Sequence, residues 1–84
     1  MSGVREAVEV LARALTDRPD EMHVKESQHK GATLVELFVG AGELGRVIGK
    51  QGRTAAALRT LAASAGEKEG KTVTLEIRDS PYKG

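Results

Sequence analysis

Two glycines, Gly49 and Gly52, break a helix-forming stretch that would otherwise run from Glu43 to Ala65, and no other feature restricts the fold as strongly. Glycine lacks a Cβ, so it takes backbone conformations closed to other residues and lets a second backbone come close. Lys50 and Gln51 stand between the glycines, and Arg46 and Arg53 bracket the segment. An anionic sugar-phosphate chain needs this set: close approach, positive charge and free N–H groups at a helix start.

The charge distribution points to the same place. Net charge over the 84 residues is only +1. Residues 43–59, however, carry Arg46, Lys50, Arg53 and Arg59 against Glu43 alone, a local balance of +3. Residues 1–42 balance at −2, with five basic and seven acidic side chains, and 60–84 at zero, with four of each. A cationic patch confined to a glycine loop is the footprint expected of a local anion site. The length suits one domain with a modest core. There is no cysteine, which excludes disulfides, thiolate catalysis and thiolate metal sites. No apolar run is long enough to span a membrane, and the amphipathic N-terminus carries Glu6 and Glu9, unlike a signal or transit peptide. A cytoplasmic protein is the simplest expectation.

Hydrophobic spacing predicts the elements. Val4, Ala7, Val8, Leu11, Ala14 and Leu15 recur three and four apart, an apolar stripe on a helix that must end before Pro19. Residues 22–29 are polar with weak alternation and read as an edge strand, and Gly31 marks a turn. Residues 33–39 are apolar and β-branched and read as a more buried strand. A short helix fits Glu43 to Ile48. A second fits Arg53 to Ala65, with Leu58, Leu61, Ala62 and Ala65 on its buried side and Gly66 as its stop. Thr72 to Arg78 alternates as a last strand with Val73, Leu75 and Ile77 inward. The order α-β-β-α-α-β predicts an α+β two-layer sandwich, three strands with helices on one face.

In that order, the run Arg46-Val47-Ile48-Gly49-Lys50-Gln51-Gly52-Arg53 resembles the GXXG signature of type II (prokaryotic) KH domains. The chain is similar over nearly its whole length to small bacterial single-KH RNA-binding proteins of the KhpA type. The resemblance implies one KH domain over residues 1–79, with a short tail at 80–84. It also implies single-stranded RNA binding by Gly49, Lys50, Gln51 and Gly52, with Arg46 and Arg53 as a cationic rim. Ile48, with Leu44 or Val47, would meet bases, and a strand, expected at residues 33–39, would form the opposite wall. An RNA chaperone or post-transcriptional regulator is the implied role. A groove that reads base edges needs no stacking aromatics, which suits a chain whose aromatics are Phe38 and Tyr82. An RRM or OB-type surface would need them.

Rival readings have less support. Residues 40–45 match G-x-G-x-x-G, but the helix that follows is broken by Gly49 and Gly52 and no acidic residue closes a following strand at the required distance. A glycine-rich strand-to-helix turn accounts for them. A Walker-type loop fails because Leu44 stands where its first glycine belongs and Gln51 follows Lys50. His23 and His29 have no accompanying ligand set and read as surface residues, so neither metal nor cofactor is expected. Ser27, Ser64 and Ser80 have no histidine partner at a suggestive place. The carboxylates spread over solvated faces, and no enzyme is expected.

Six alanines line the helix from Arg53 to Ala65. Plain helix propensity accounts for them. A flat surface for a second helix does so too, and the resemblance favours a homodimer or a heterodimer with another KH protein, with Leu61 the candidate interface residue. Two classes of function follow: an RNA-binding module of low sequence specificity, or a protein-interaction subunit that recruits a second KH protein, with RNA contact secondary.

Overall fold

The computed structural model describes residues 3–79, and the tail at 80–84, with Tyr82 and Ser80, lies outside them. Six main elements follow in the expected order: α1 (Gly3–Leu15), β1 (His23–His29), β2 (Ala32–Val39), α2 (Leu44–Ile48), α3 (Arg53–Lys68) and β3 (Thr72–Asp79). A 3₁₀ turn, Pro19–Glu21, links α1 to β1.

The sheet order is β1-β2-β3, with β1 antiparallel and β3 parallel to the central strand. Lys30 (φ 50°) and Gly31 (φ 81°) form the two-residue hairpin turn between β1 and β2. Two positive φ values in succession are what a type I′ turn requires, and its twist matches that of the strands. Along β2 burial alternates, with Thr33, Val35, Leu37 and Val39 buried. Val35, Leu37 and Val39 join Val4, Val8, Val47, Leu58, Ala62 and Leu75 in the core. Thr33 is the polar member of that row, and its hydroxyl donates to Gln28 Oε1 at 3.0 Å. Among the described residues no helix covers the opposite sheet face, and Phe38 lies between His23 and Arg78 in register. The architecture is the predicted α+β two-layer sandwich, a type II KH fold.

Two helices depart from expectation. On α1 the buried line is Val4, Val8 and Ala12. Leu11 and Leu15, expected on the buried stripe, are 41% and 36% exposed, and Val10 is 67% exposed. The apolar arc of α1 is wider than the strip that β1 and α3 cover. On α3, Gly66 is not the stop. It is buried within the helix, where an added Cβ would collide with Val73 and lie 2.9 Å from the Lys71 carbonyl. The helix runs on to Lys68 with Glu69 as its C-cap, and Gly70 (φ 69°) is the residue after the cap. The Lys71 N–H donates to the Gly66 carbonyl at 2.8 Å and the Gly70 N–H to that of Glu67 at 3.1 Å. This is the Schellman pattern, in which the residue after the cap takes the left-handed conformation. Gly66 is therefore glycine for packing, and Gly70 for conformation.

Candidate functional site

The approach to the glycine loop is a tight turn. The Glu43 N–H donates to the Gly40 carbonyl at 3.0 Å, and Gly42 takes φ 84° at the third position, where a type II turn needs glycine. The G-x-G-x-x-G match thus resolves as a turn that starts α2. That helix has only five residues, too few to be stable alone, so its position comes from contacts with the rest of the chain. Val47 is its buried anchor, while Leu44 packs partly against the core and Ile48 is half-buried.

A carboxylate supplies the second anchor. Glu43 was expected on a solvated face, yet it is 7% exposed. Its Oε1 accepts from the Thr16 hydroxyl and from the Asp17 N–H, both at 2.7 Å. These bonds tie the start of α2 to the end of α1. Thr16 also receives the Arg18 N–H on its hydroxyl at 3.1 Å. The Thr16 hydroxyl first, and the Asp17 N–H next, hold the Glu43 carboxyl below the usual glutamate range. The positive charges of Arg46 and Arg18 add to them, and burial opposes. Sequence alone could not find this, because the partners lie 26 and 27 residues away.

The depressed value has a pH consequence. A carboxyl that binds protons less readily folded than unfolded adds stability above the unfolded value, and that stability is lost as pH falls through the folded one. Melting temperature should therefore drop on acidification below the ordinary glutamate value of about 4.3. Glu43→Gln should melt lower at neutral pH and show a shallower acid dependence. Parallel curves for the two proteins would contradict the linkage.

After α2 the chain turns sharply. The Gly49 N–H still donates to the Gly45 carbonyl at 2.9 Å, but Gly49 itself takes φ 77° and ψ 175°. Gln51 (φ 57°, ψ 24°) and Gly52 (φ 73°, ψ 13°) follow in the left-handed region. The Gly52 N–H donates to the Gly49 carbonyl at 3.2 Å, and α3 starts at Arg53. Three of the four loop residues thus have positive φ, and the turn is closed by its own hydrogen bond. Lys50, Gln51 and Arg53 are exposed at its tip. An Arg53 Nη2–H donates to Gln51 Oε1 at 3.1 Å, which holds one side chain against the other without removing charge. The N-terminus of α3, with its partial positive charge, opens beside these cations.

The predicted site residues fall together here, with two differences. Arg46 is not a free rim cation: its Nη2 lies 2.9 Å from Asp17 Oδ2, and its Nε 3.5 Å from Glu43 Oε2. The expected opposite wall, residues 33–39, is the centre of the sheet, paired on both sides. The strand that packs against α2 is β3, an edge strand carrying half-buried Ile77 on its helix-facing side. Nothing in the sequence orders the strands, so the two candidates could not be separated there. Leu61 is half-buried on α3, beside the exposed Val10 and Leu11 of α1. Among the described residues, no group of three metal-ligating side chains occurs, and no helix is long and apolar enough to cross a membrane.

Residues 5–77 match the family model for the KhpA/KhpB KH domain. The chain belongs to the KhpA/KhpB KH-domain family. It is 47% identical over 77 residues to the RNA-binding protein KhpA of Aquifex aeolicus, covering 92% of this chain and 98% of that one. To KhpA of Clostridium perfringens it is 43% identical over 74 residues, covering 88% and 99%. Among solved structures, Era in complex with MgGDPNP and a segment of 16S ribosomal RNA matches with a TM-score of 0.65 at 24% identity. That match covers 93% of this chain and 30% of Era, a likeness of fold alone.

Proposed function

We propose that this chain, a single KH domain, binds single-stranded RNA with low sequence specificity and acts in the cytoplasm as an RNA chaperone or post-transcriptional regulator. The observation that carries this reading is the Gly49–Gly52 loop. Its self-closed turn presents Lys50, Gln51 and Arg53 at the start of a 16-residue helix. RNA phosphates would follow the loop, and bases would enter between Ile48 on α2 and the free edge of β3. The RNA-binding relatives support the same assignment.

A KH groove holds about four nucleotides, so few phosphates are neutralised. Anisotropy of a labelled single-stranded RNA of about eight nucleotides, twice the groove, tests the reading. With ~2–3 contacts at ~0.7 each, the log–log salt slope should be roughly −1.5 to −2. A slope near zero, or no binding, would end the proposal. Duplex RNA should compete poorly, since its paired base edges cannot enter the groove.

A site this small gains from being doubled, because two linked grooves raise effective concentration. The reading therefore includes a dimer, formed with a second copy or another KH protein. Val10 and Leu11 on α1, with Leu61 on α3, offer an apolar surface uncovered in the single chain. Leu61→Lys should shift sedimentation toward monomer and weaken RNA binding in consequence. Wild-type protein that stays monomeric at high micromolar concentration would refute the homodimer. The same apolar surface favours the second reading, a subunit that chiefly recruits another KH protein, and tight partner binding without RNA affinity would select it.

A further inference from the structure

The one basic side chain of α2 is held by acids before any ligand arrives. Arg46 directs its Nε and Nη2 at Glu43 and Asp17, 3.5 and 2.9 Å away. That Nε–Nη2 edge is one of the forks with which a guanidinium grips a phosphate bidentately. We propose that Asp17 restrains Arg46 and thereby limits its contribution to RNA binding, an inference that rests on the RNA-binding reading above.

The two acids differ in what they can yield. Glu43 is fixed: its side chain is 9% exposed and it already accepts from Thr16 and Asp17. The Asp17 carboxylate is 66% exposed, and the Arg46 side chain 57%. A phosphate that reaches Arg46 Nη2 must therefore displace Asp17, the partner with freedom to leave, while Glu43 stays against Nε. The Asp17 backbone sets where that carboxylate stands, since its N–H is committed to Glu43 at 2.7 Å. The competitor of the phosphate is thus built into the α1–β1 connector. The same ion pair also cancels one positive charge of the field that reaches RNA near the loop. With Arg46 held, Lys50, Arg53 and Arg59 remain as cations of the patch.

An exposed ion pair is weak, so the restraint is a bias that a phosphate overcomes at modest cost. Asp17→Asn keeps the backbone N–H and changes no buried group, so the fold should persist. With the same labelled eight-nucleotide probe, it should tighten RNA binding about two- to fivefold at low salt. It should also steepen the salt slope by ~0.7, the share of one added phosphate contact. Arg46→Gln should cost more affinity in the Asp17→Asn background than in the wild type, because only there is Nη2 released from a competing carboxylate. This coupling, and the slope, would not move if Asp17 were merely structural. Asp17→Ser should repeat the gain if the asparagine variant melts early. Unchanged binding in both variants overturns the proposal, and weaker binding in a folded variant overturns it by making Asp17 an orienting residue. Failure of the RNA-site reading looks different: wild type and every variant then bind no RNA, or loop charge reversal leaves binding intact.

Discussion

Replacing Lys50 and Gln51 together with aspartate should weaken single-stranded RNA binding at least about tenfold and leave the fold intact. Both side chains are exposed at the loop tip. Lys50 has no positive φ to accommodate, and Gln51 sits at φ 57°, a region in which aspartate is several-fold enriched. The energetics come from charge alone. One favourable contact is lost and two repulsive ones are gained, each about 1 kcal/mol for unit charges at ~4 Å in water. Salt at physiological strength reduces that total, and tenfold needs only 1.4 kcal/mol. Arg53 adds to the loss, because a carboxylate at position 51 would pair with the guanidinium that now donates to Gln51. Anisotropy with the eight-nucleotide probe, alongside a thermal melt, gives the answer. A folded variant with wild-type affinity would remove the loop from the site.

What could be foreseen in the sequence, and what could not, divides along a physical line. Period-two alternation at 72–78 and the apolar run at 33–39 place β2 and β3, because a strand's faces are written in consecutive residues. The glycine loop was legible for the same reason: its turn is local, made by four adjacent residues of which two are glycine. Long-range arrangements left no such trace. That β3 rather than β2 flanks α2 follows from strand order, which periodicity does not encode. The burial of Glu43 depends on Thr16 and Asp17, and the sequence shows only a charged residue before a helix. Arg46 looks like one more rim cation until its neighbours are in place. Gly66 and Gly70 illustrate the limit within one helix, since either could be the stop by composition. Only packing against Val73 and Lys71 tells them apart.

The two loop glycines should respond to substitution in opposite ways. Gly49 has φ 77° and ψ 175°, a region that is essentially restricted to glycine and costs about 1–3 kcal/mol for other residues. It also has no room. An added Cβ would collide with the Thr54 hydroxyl, 2.6 Å from Thr54 Cβ and 3.1 Å from the Thr54 backbone nitrogen. Forced overpacking of that kind costs typically 1–3 kcal/mol more. Gly49→Ala should therefore lose roughly 2–6 kcal/mol, and at ~4–8 °C per kcal/mol for a domain this size its melting temperature should fall by about eight degrees or more. Gly52 is permissive by comparison. Its φ 73° and ψ 13° are ordinary left-handed values, and nothing lies within 4 Å of an added Cβ. Asparagine adopts that conformation readily, so Gly52→Asn should cost less than about 1 kcal/mol. Its side chain would still project into the path proposed for the RNA backbone, so the variant should melt near wild type and bind RNA more weakly. Stability and binding are thus separated within one loop: Gly49 sets its shape, and Gly52 leaves the space beside it open. Thermal melts of the two variants, with anisotropy on the folded one, decide the matter. Equal melting temperatures would refute the assignment of Gly49, and undiminished affinity in Gly52→Asn would refute that of Gly52.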